Sequence, residues 1–189
     1  NGERVYTATY TMQSSDNTGV IPFTVDFSDM ANNAGTQVTA VANDSDGGVT
    51  FDKQAPSFTT VTMSSDNSTS TLAIVNDVIT INLTSDEAIK AGSDPTITVN
   101  GNTATVTRNS TTSFTATYTM SSPADDAVDG SSIPINISAY TDATGNIGTT
   151  VTATTDGSAV TYDKTLPTLG TVTIASDNTY DHLATTADV

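Results

Sequence analysis

Apolar and hydroxyl-bearing residues alternate strictly over several stretches of the chain. Ile79, Ile81 and Leu83 interleave with Thr80, Asn82 and Thr84, and Phe114, Ala116, Tyr118 and Met120 with Thr115, Thr117 and Thr119. Ile133, Ile135, Ile137 and Ala139 keep the same period, and shorter alternations occur at Val61/Met63, Ile97/Val99, Ala104/Val106 and Val151/Ala153. A period of two places each apolar set on one face of a strand and leaves the other face to water. Between Val99 and Thr103 stands Asn100-Gly101, the pair best suited to a two-residue hairpin turn. The pattern predicts strands near 58–64, 78–84, 96–100, 102–107, 113–121, 133–140 and 149–162. No stretch has the three-to-four spacing of an amphipathic helix. Seven short half-buried strands without helices predict an all-β sandwich. Tyr10 and Tyr118 fall on the apolar side of their strands and are expected in its core.

The same words then return. Tyr6-Thr-Ala-Thr-Tyr-Thr-Met12 recurs as Phe114-Thr-Ala-Thr-Tyr-Thr-Met120, and Ile21-Pro22-Phe23 as Ile133-Pro134-Ile135. Phe51-Asp52-Lys53 with Pro56 recurs as Tyr162-Asp163-Lys164 with Pro167, and Ser65-Asp66-Asn67 as Ser176-Asp177-Asn178. Asp52 and Asp163 lie 111 residues apart, Tyr10 and Tyr118 108 apart, so loops differ slightly in length. The period is therefore about 111 residues, the length of one sandwich. Residues 1–52 read as the C-terminal half of one repeat, 53–163 as a complete repeat, and 164–189 as the start of a third. Half a sandwich leaves an apolar face and open strand edges. Those edges are expected to be closed either by more of the same chain or by strands from a neighbouring molecule.

Charge narrows the partners. Five Lys and Arg stand against 21 Asp and Glu, a net charge of −16. Phosphate backbones and anionic lipids are both bound by basic clusters, so neither nucleic acid nor an anionic membrane surface is an expected partner. No apolar run approaches the roughly 20 residues that span a bilayer. The opening Asn1-Gly2-Glu3-Arg4 is not a secretion signal, which would lie outside this stretch. With no Cys in the chain, neither disulfides nor thiol chemistry enter. Surplus carboxylates suit two ends: solubility in salty surroundings, or binding of a hard cation such as calcium, which takes six to eight oxygen ligands.

Phe51-Asp-Lys-Gln-Ala-Pro56 and Tyr162-Asp-Lys-Thr-Leu-Pro167 resemble the D-x-T-x-P linkers that join bacterial immunoglobulin-like (cadherin-like) repeats. Asp142-Ala-Thr-Gly-Asn146 resembles their D-x-x-G-N turn, and Ser85-Asp86-Glu87 their S-E element after the second strand. The resemblance covers the chain. It implies tandem immunoglobulin-like seven-stranded sandwiches in a large extracellular, cell-surface bacterial protein or adhesin, often stiffened by structural calcium where repeats meet. In the first copy, Asp29-Met-Ala-Asn-Asn33-Ala-Gly35 departs from the turn's Gly-Asn.

A sandwich brings the loop after its second strand, the loop before its last strand and the incoming linker to one pole. That gathers Asp52, Asp86, Glu87, Asp142 and Asn146 as candidate calcium ligands, with Asp16 available from the preceding copy. At the next junction the candidates are Asp163 with Asp125, Asp126 or Asp129. The plainer reading is that Asp and Asn simply make these turns through bonds to backbone, which is the expectation for Asp66-Asn67 and Asp177-Asn178.

Catalytic sets are missing. His182 is the one His, so neither a Ser-His-Asp set nor a transition-metal cluster can be assembled; it is expected to be a solvated loop residue. The carboxylate pairs Asp86-Glu87 and Asp125-Asp126 carry the residue type glycosidases use, but in a chain with no Trp they read as turn residues. Asn43, Asn67, Asn82, Asn109 and Asn136 head N-x-S/T triplets, acceptors of glycan where the source modifies surface proteins. The expected function is a non-catalytic stalk module whose partners are neighbouring repeats or copies of the same protein, with any host-surface or glycan ligand bound by regions outside this stretch. Alternatives are a subunit of a self-assembling filament or surface layer with exchanged strands, and a carbohydrate-binding module using Tyr10, Tyr118 or Tyr140.

Overall fold

The computed structural model describes residues 4–41, 48–121, 129–180 and 182–186; Asp125, Asp126 and Asn43 lie outside them. Among the described residues every regular element is a β-strand. The twelve are β1 (Gly19–Val20), β2 (Thr50–Phe51), β3 (Phe58–Ser65), β4 (Leu72–Ala73), β5 (Val78–Ser85), β6 (Thr96–Val99), β7 (Asn102–Thr103), β8 (Thr105–Arg108), β9 (Ser113–Thr119), β10 (Ser131–Ser132), β11 (Ile135–Ser138) and β12 (Thr161–Tyr162).

Four of them form an antiparallel sheet in the order β3-β5-β9-β8, and three more the antiparallel sheet β11-β6-β7. A small third sheet, β10-β12-β4, has β12 running parallel to β4. The alternation of the sequence fixes which face turns inward. Val61 and Met63, Ile79, Ile81 and Leu83, and Phe114 and Ala116 bury against Ile97, Val99, Ile135 and Ile137 in one cluster that runs from Phe58 to Tyr162. The Thr residues between them face outward. The protein is thus all-β with several antiparallel sheets, consistent with a β-sandwich. Asn100 and Gly101 both take positive φ, 50° and 79°, the conformation a primed hairpin turn demands.

Two expectations are revised. Only Thr161–Tyr162 of the stretch 149–162 is a strand; the rest touches its neighbours locally, Val151 bridging Ile137 and Thr155 and Ser158 bonding to β3 through side-chain hydroxyls. Tyr10 is 70% exposed rather than in the core, because the described residues before Phe58 and after Tyr162 add nothing to that cluster. Tyr118 is half-buried against it and Tyr140 is fully buried. His182 is exposed and lies edge-on to the Tyr180 ring.

Several recurring blocks take the same local structure in both copies, but the longest does not: Phe114–Thr119 lies in β9, whereas its counterpart Tyr6–Met12 forms no strand and is largely exposed. β1 pairs with β2 as β10 pairs with β12. Ile21 N–H donates to the Val49 carbonyl at 2.8 Å, and Ile133 N–H to that of Val160 at 2.9 Å. In both Ser-Asp-Asn turns the Asn N–H meets the Ser hydroxyl at 3.1 Å, and the Asn side chain accepts the N–H two residues on at 3.1 Å. The two Asp turns also match: the N–H of Asp29 meets the Asn33 carbonyl at 3.0 Å, and that of Asp142 the Asn146 carbonyl at 3.1 Å. Asn32 (φ 67°) holds the left-handed position that Gly145 (φ 104°) holds in the second copy. Asn tolerates that region better than other side chains, so the apparent departure of the first copy leaves the turn intact.

Candidate metal centre

The site is assembled by three backbone segments. β5 ends at Ser85, whose hydroxyl donates to the Glu87 carbonyl and curls the chain round. The emerging loop then pairs with the loop after β11: Ile89 bridges Asp142, and Lys90 N–H donates to the Thr141 carbonyl at 2.9 Å. That pairing sets Glu87 beside Asp142. Arg108, on β8, braces the first loop. Its guanidinium donates to the carbonyls of Ile89 (3.1 Å) and Lys90 (2.9 Å), pairs with Asp94, and lies 4.8 Å from the Phe114 ring centroid. The linker after β2 supplies Asp52. Phe58, Phe114 and Tyr140 form an aromatic group in the core, with Phe58 and Tyr140 centroids 4.7 Å apart.

Carboxylate oxygens of Asp52, Glu87 and Asp142 lie within 4.8 Å of one another. Asp142 is buried, whereas Asp52 and Glu87 are half-buried. Asp142 is fixed by its own turn. Its Oδ1 accepts the Thr144 hydroxyl (2.9 Å) and the N–H groups of Gly145 (2.6 Å) and Asn146 (2.8 Å), and its Oδ2 accepts the Asn146 side-chain amide at 2.7 Å. The same amide reaches the Asp52 carbonyl at 3.3 Å and so ties the linker to the turn. Burial pushes the Asp142 carboxyl up, but the bonds from Asn146, Thr144 and Gly145 outweigh it and hold the group below its ordinary value.

Glu87 has no such support. Its Oε1 is buried with no hydrogen-bond partner from the protein. Burial, then the charges of Asp142, Asp52 and Asp86, push its carboxyl above the ordinary value. A carboxylate crowded by like charges and lacking donors is one that a cation would satisfy. The donor set is all oxygen and anionic, which suits calcium and not a soft metal. Asp52, Glu87 and Asp142 would hold such an ion, while Asn146 turns its amide NH2 toward Asp142 and the Asp52 carbonyl and so acts there as a donor.

The remaining candidates fall elsewhere. Asp86 turns away to accept the Ser57 N–H (2.8 Å) and hydroxyl (2.9 Å), so it pins the start of β3 and bears on the cluster through charge alone. The Asp16 carboxylate is engaged by the Tyr10 hydroxyl and the Gln13 N–H. Asp163 is exposed and accepts the Thr165 N–H at 3.0 Å, as Asp52 accepts that of Gln54 at 2.9 Å. Asp129 is bonded to Lys164 N–H and to the Thr165 hydroxyl. Asp66 and Asn67 bond to Val78 N–H and Thr69 N–H, as turn residues do. Sequence reasoning did not find Arg108, whose role rests on loop carbonyls that carry no residue signal. No protein-family model, curated protein or solved structure matches this chain.

Proposed function

We propose that the chain is a non-catalytic stalk segment of an extracellular, cell-surface protein, built from immunoglobulin-like repeats of about 111 residues and stiffened by calcium where a linker meets the next repeat. The strand partition supports the immunoglobulin-like reading. β3-β5-β9-β8 correspond to strands A-B-E-D of such a sandwich, and β6, β11 and the Val151 segment to C, F and G. Matching strand pairs β1-β2 and β10-β12, and matching Ser-Asp-Asn and Asp turns, support a tandem arrangement, in which each unit touches only its neighbours and reach grows with copy number.

One observation carries the calcium reading: a linker carboxylate, Asp52, meets Glu87 and Asp142 of the following unit within 4.8 Å, and the buried Glu87 Oε1 has no partner from the protein. An ion there would join linker to unit, because bending the joint would break its coordination. Calorimetric titration of the 189-residue chain with calcium tests this. We expect one site in the range of about 10⁻⁴–10⁻³ M known for extracellular modules, weakened by Glu87→Gln and Asp142→Asn. Absence of binding at millimolar calcium would remove the proposal.

A second reading, a filament with strands exchanged between molecules, draws on the apolar residues left open on both flanks: Tyr6, Phe27, Leu169 and Ile174 are each more than half exposed. Sedimentation tests it, since a chain that remained monomeric at high concentration would exclude it.

A further inference from the structure

The acidic cluster joins the linker only to the unit that follows. An ion held there stiffens two units against each other only if the linker is also fixed to the unit before. The first linker carries such a fixture. Lys53, next to the ligand Asp52, sends its ammonium back to the loop before β1 and donates to the carbonyls of Asp16 (2.7 Å) and Ser14 (3.3 Å). It also lies 5.9 Å from the centroid of the Phe51 ring. The loop is a closed receptor. Asp16 N–H donates to the Gln13 carbonyl at 3.0 Å, and the Asp16 carboxylate takes the Gln13 N–H (2.7 Å) and the Tyr10 hydroxyl (3.1 Å), so the carbonyls that meet the ammonium are held in place. The second linker is fixed at the corresponding place by different chemistry. There Asp129, just before β10, accepts the Lys164 N–H at 2.8 Å and the Thr165 hydroxyl.

We infer that Lys53 is the positioning residue that makes cation binding mechanical: it clamps the linker to the preceding unit without any ion, so that occupancy at Asp52, Glu87 and Asp142 locks both sides of the joint. The inference rests on the calcium reading for the lock and on geometry alone for the clamp. Charge-assisted bonds from an ammonium to carbonyls in a preformed turn are stronger than neutral ones, and no other cation is described at this loop.

The chain has no Cys, so pairs of spin labels can be introduced cleanly. One pair, Thr39→Cys with Ala55→Cys, measures linker against preceding unit; another, Thr39→Cys with Thr117→Cys, measures unit against unit. Both pairs are read in the parent, Lys53→Met and Lys53→Arg chains, with calcium and with chelator, and calcium affinity is followed by calorimetry. With Lys53 intact, the Thr39–Ala55 distances are expected to stay narrow in both conditions, and the Thr39–Thr117 distances to narrow on adding calcium. Lys53→Met should broaden the first pair in both conditions and abolish the narrowing of the second, while calcium affinity changes by less than about threefold; Lys53→Arg should restore both. An unchanged Thr39–Ala55 distribution in Lys53→Met overturns the clamp whether or not calcium binds. A chain that binds no calcium yet broadens in Lys53→Met keeps the clamp and removes the calcium reading instead.

Discussion

Replacing Glu87 by Gln should stabilise the protein in chelator and lose that advantage in calcium. The carboxylate oxygens of Asp52, Glu87 and Asp142 lie within 4.8 Å of one another. At that distance a like-charge pair repels by about 0.9 kcal/mol in bulk water and about 3.5 kcal/mol at an effective dielectric of about 20. Glu87 and Asp52 are half-buried, so the screened end applies, and about 1 kcal/mol for each of two partners gives about 2 kcal/mol relieved by the neutral amide. At calcium 100-fold above Kd the parent chain gains about 2.7 kcal/mol, whereas a variant binding about 100-fold more weakly gains about 0.4. The variant therefore leads by about 2 kcal/mol without the ion and trails by about 0.3 with it. Urea unfolding followed by circular dichroism reads the difference, since a slope of about 1–3 kcal/mol per molar turns 2 kcal/mol into a midpoint shift of about 1 M. A Glu87→Gln chain that is less stable than the parent in chelator would refute the reasoning, because Glu87 would then be making favourable contacts.

Three further expectations concern two glycines and the pH dependence. A Cβ at Gly148 would fall less than 3.0 Å from the ring of Tyr140, a buried side chain tied through its hydroxyl to the Thr149 carbonyl at 2.7 Å; Gly148→Ala should cost about 2 kcal/mol or more and lower Tm by roughly 10 °C. Gly35→Ala meets the Phe27 ring in the same way, but that ring is 56% exposed and free to swing out, so Tm should fall by less than about 3 °C. In chelator, stability should rise as pH falls from 7 and then drop. Glu87 is raised above its ordinary 4.5 by burial and neighbouring carboxylates, so its penalty on the folded state fades as pH falls through its folded value toward 4.5. Asp142 and Asp86 are held below their ordinary 3.8 by hydrogen bonds that outweigh burial, so their contribution is full above 3.8 and is lost as pH falls through their folded values. A steady decline from pH 7 in chelated buffer would contradict the Glu87 part, and Glu87→Gln should flatten the rise.

Much of the fold could be read from the alternation of apolar and hydroxyl residues. The long strands β3, β5 and β9 fall within a residue or two of the predicted spans, since a period of two has one inward solution once one face is apolar. The last predicted strand was misread because Thr155 and Ser158 spend their hydroxyls on β3 instead of alternating into a ladder. Ala139 takes φ 59° and interrupts the alternation ahead of Tyr140, an irregularity that periodicity does not announce. At the site, sequence spacing grouped Asp52, Glu87 and Asp142, whose carboxylate oxygens lie within 4.8 Å of one another, but could not separate Glu87 from Asp86. Asp86 and Glu87 are neighbours, and only the curl after Ser85 decides that one meets Ser57 and the other the cluster. Lys53 and Arg108 escaped notice because both bond to carbonyls, which every residue carries.

Small-angle scattering of the 189-residue chain, with calcium and after chelation, tests the central claim most directly. The account predicts a longer maximum dimension and a narrower shape distribution with calcium, both lost in chelator and absent from an Asp142→Asn chain that still folds. Identical profiles in the two buffers, with the ion bound, would show that the acidic junction does not set the shape of this protein.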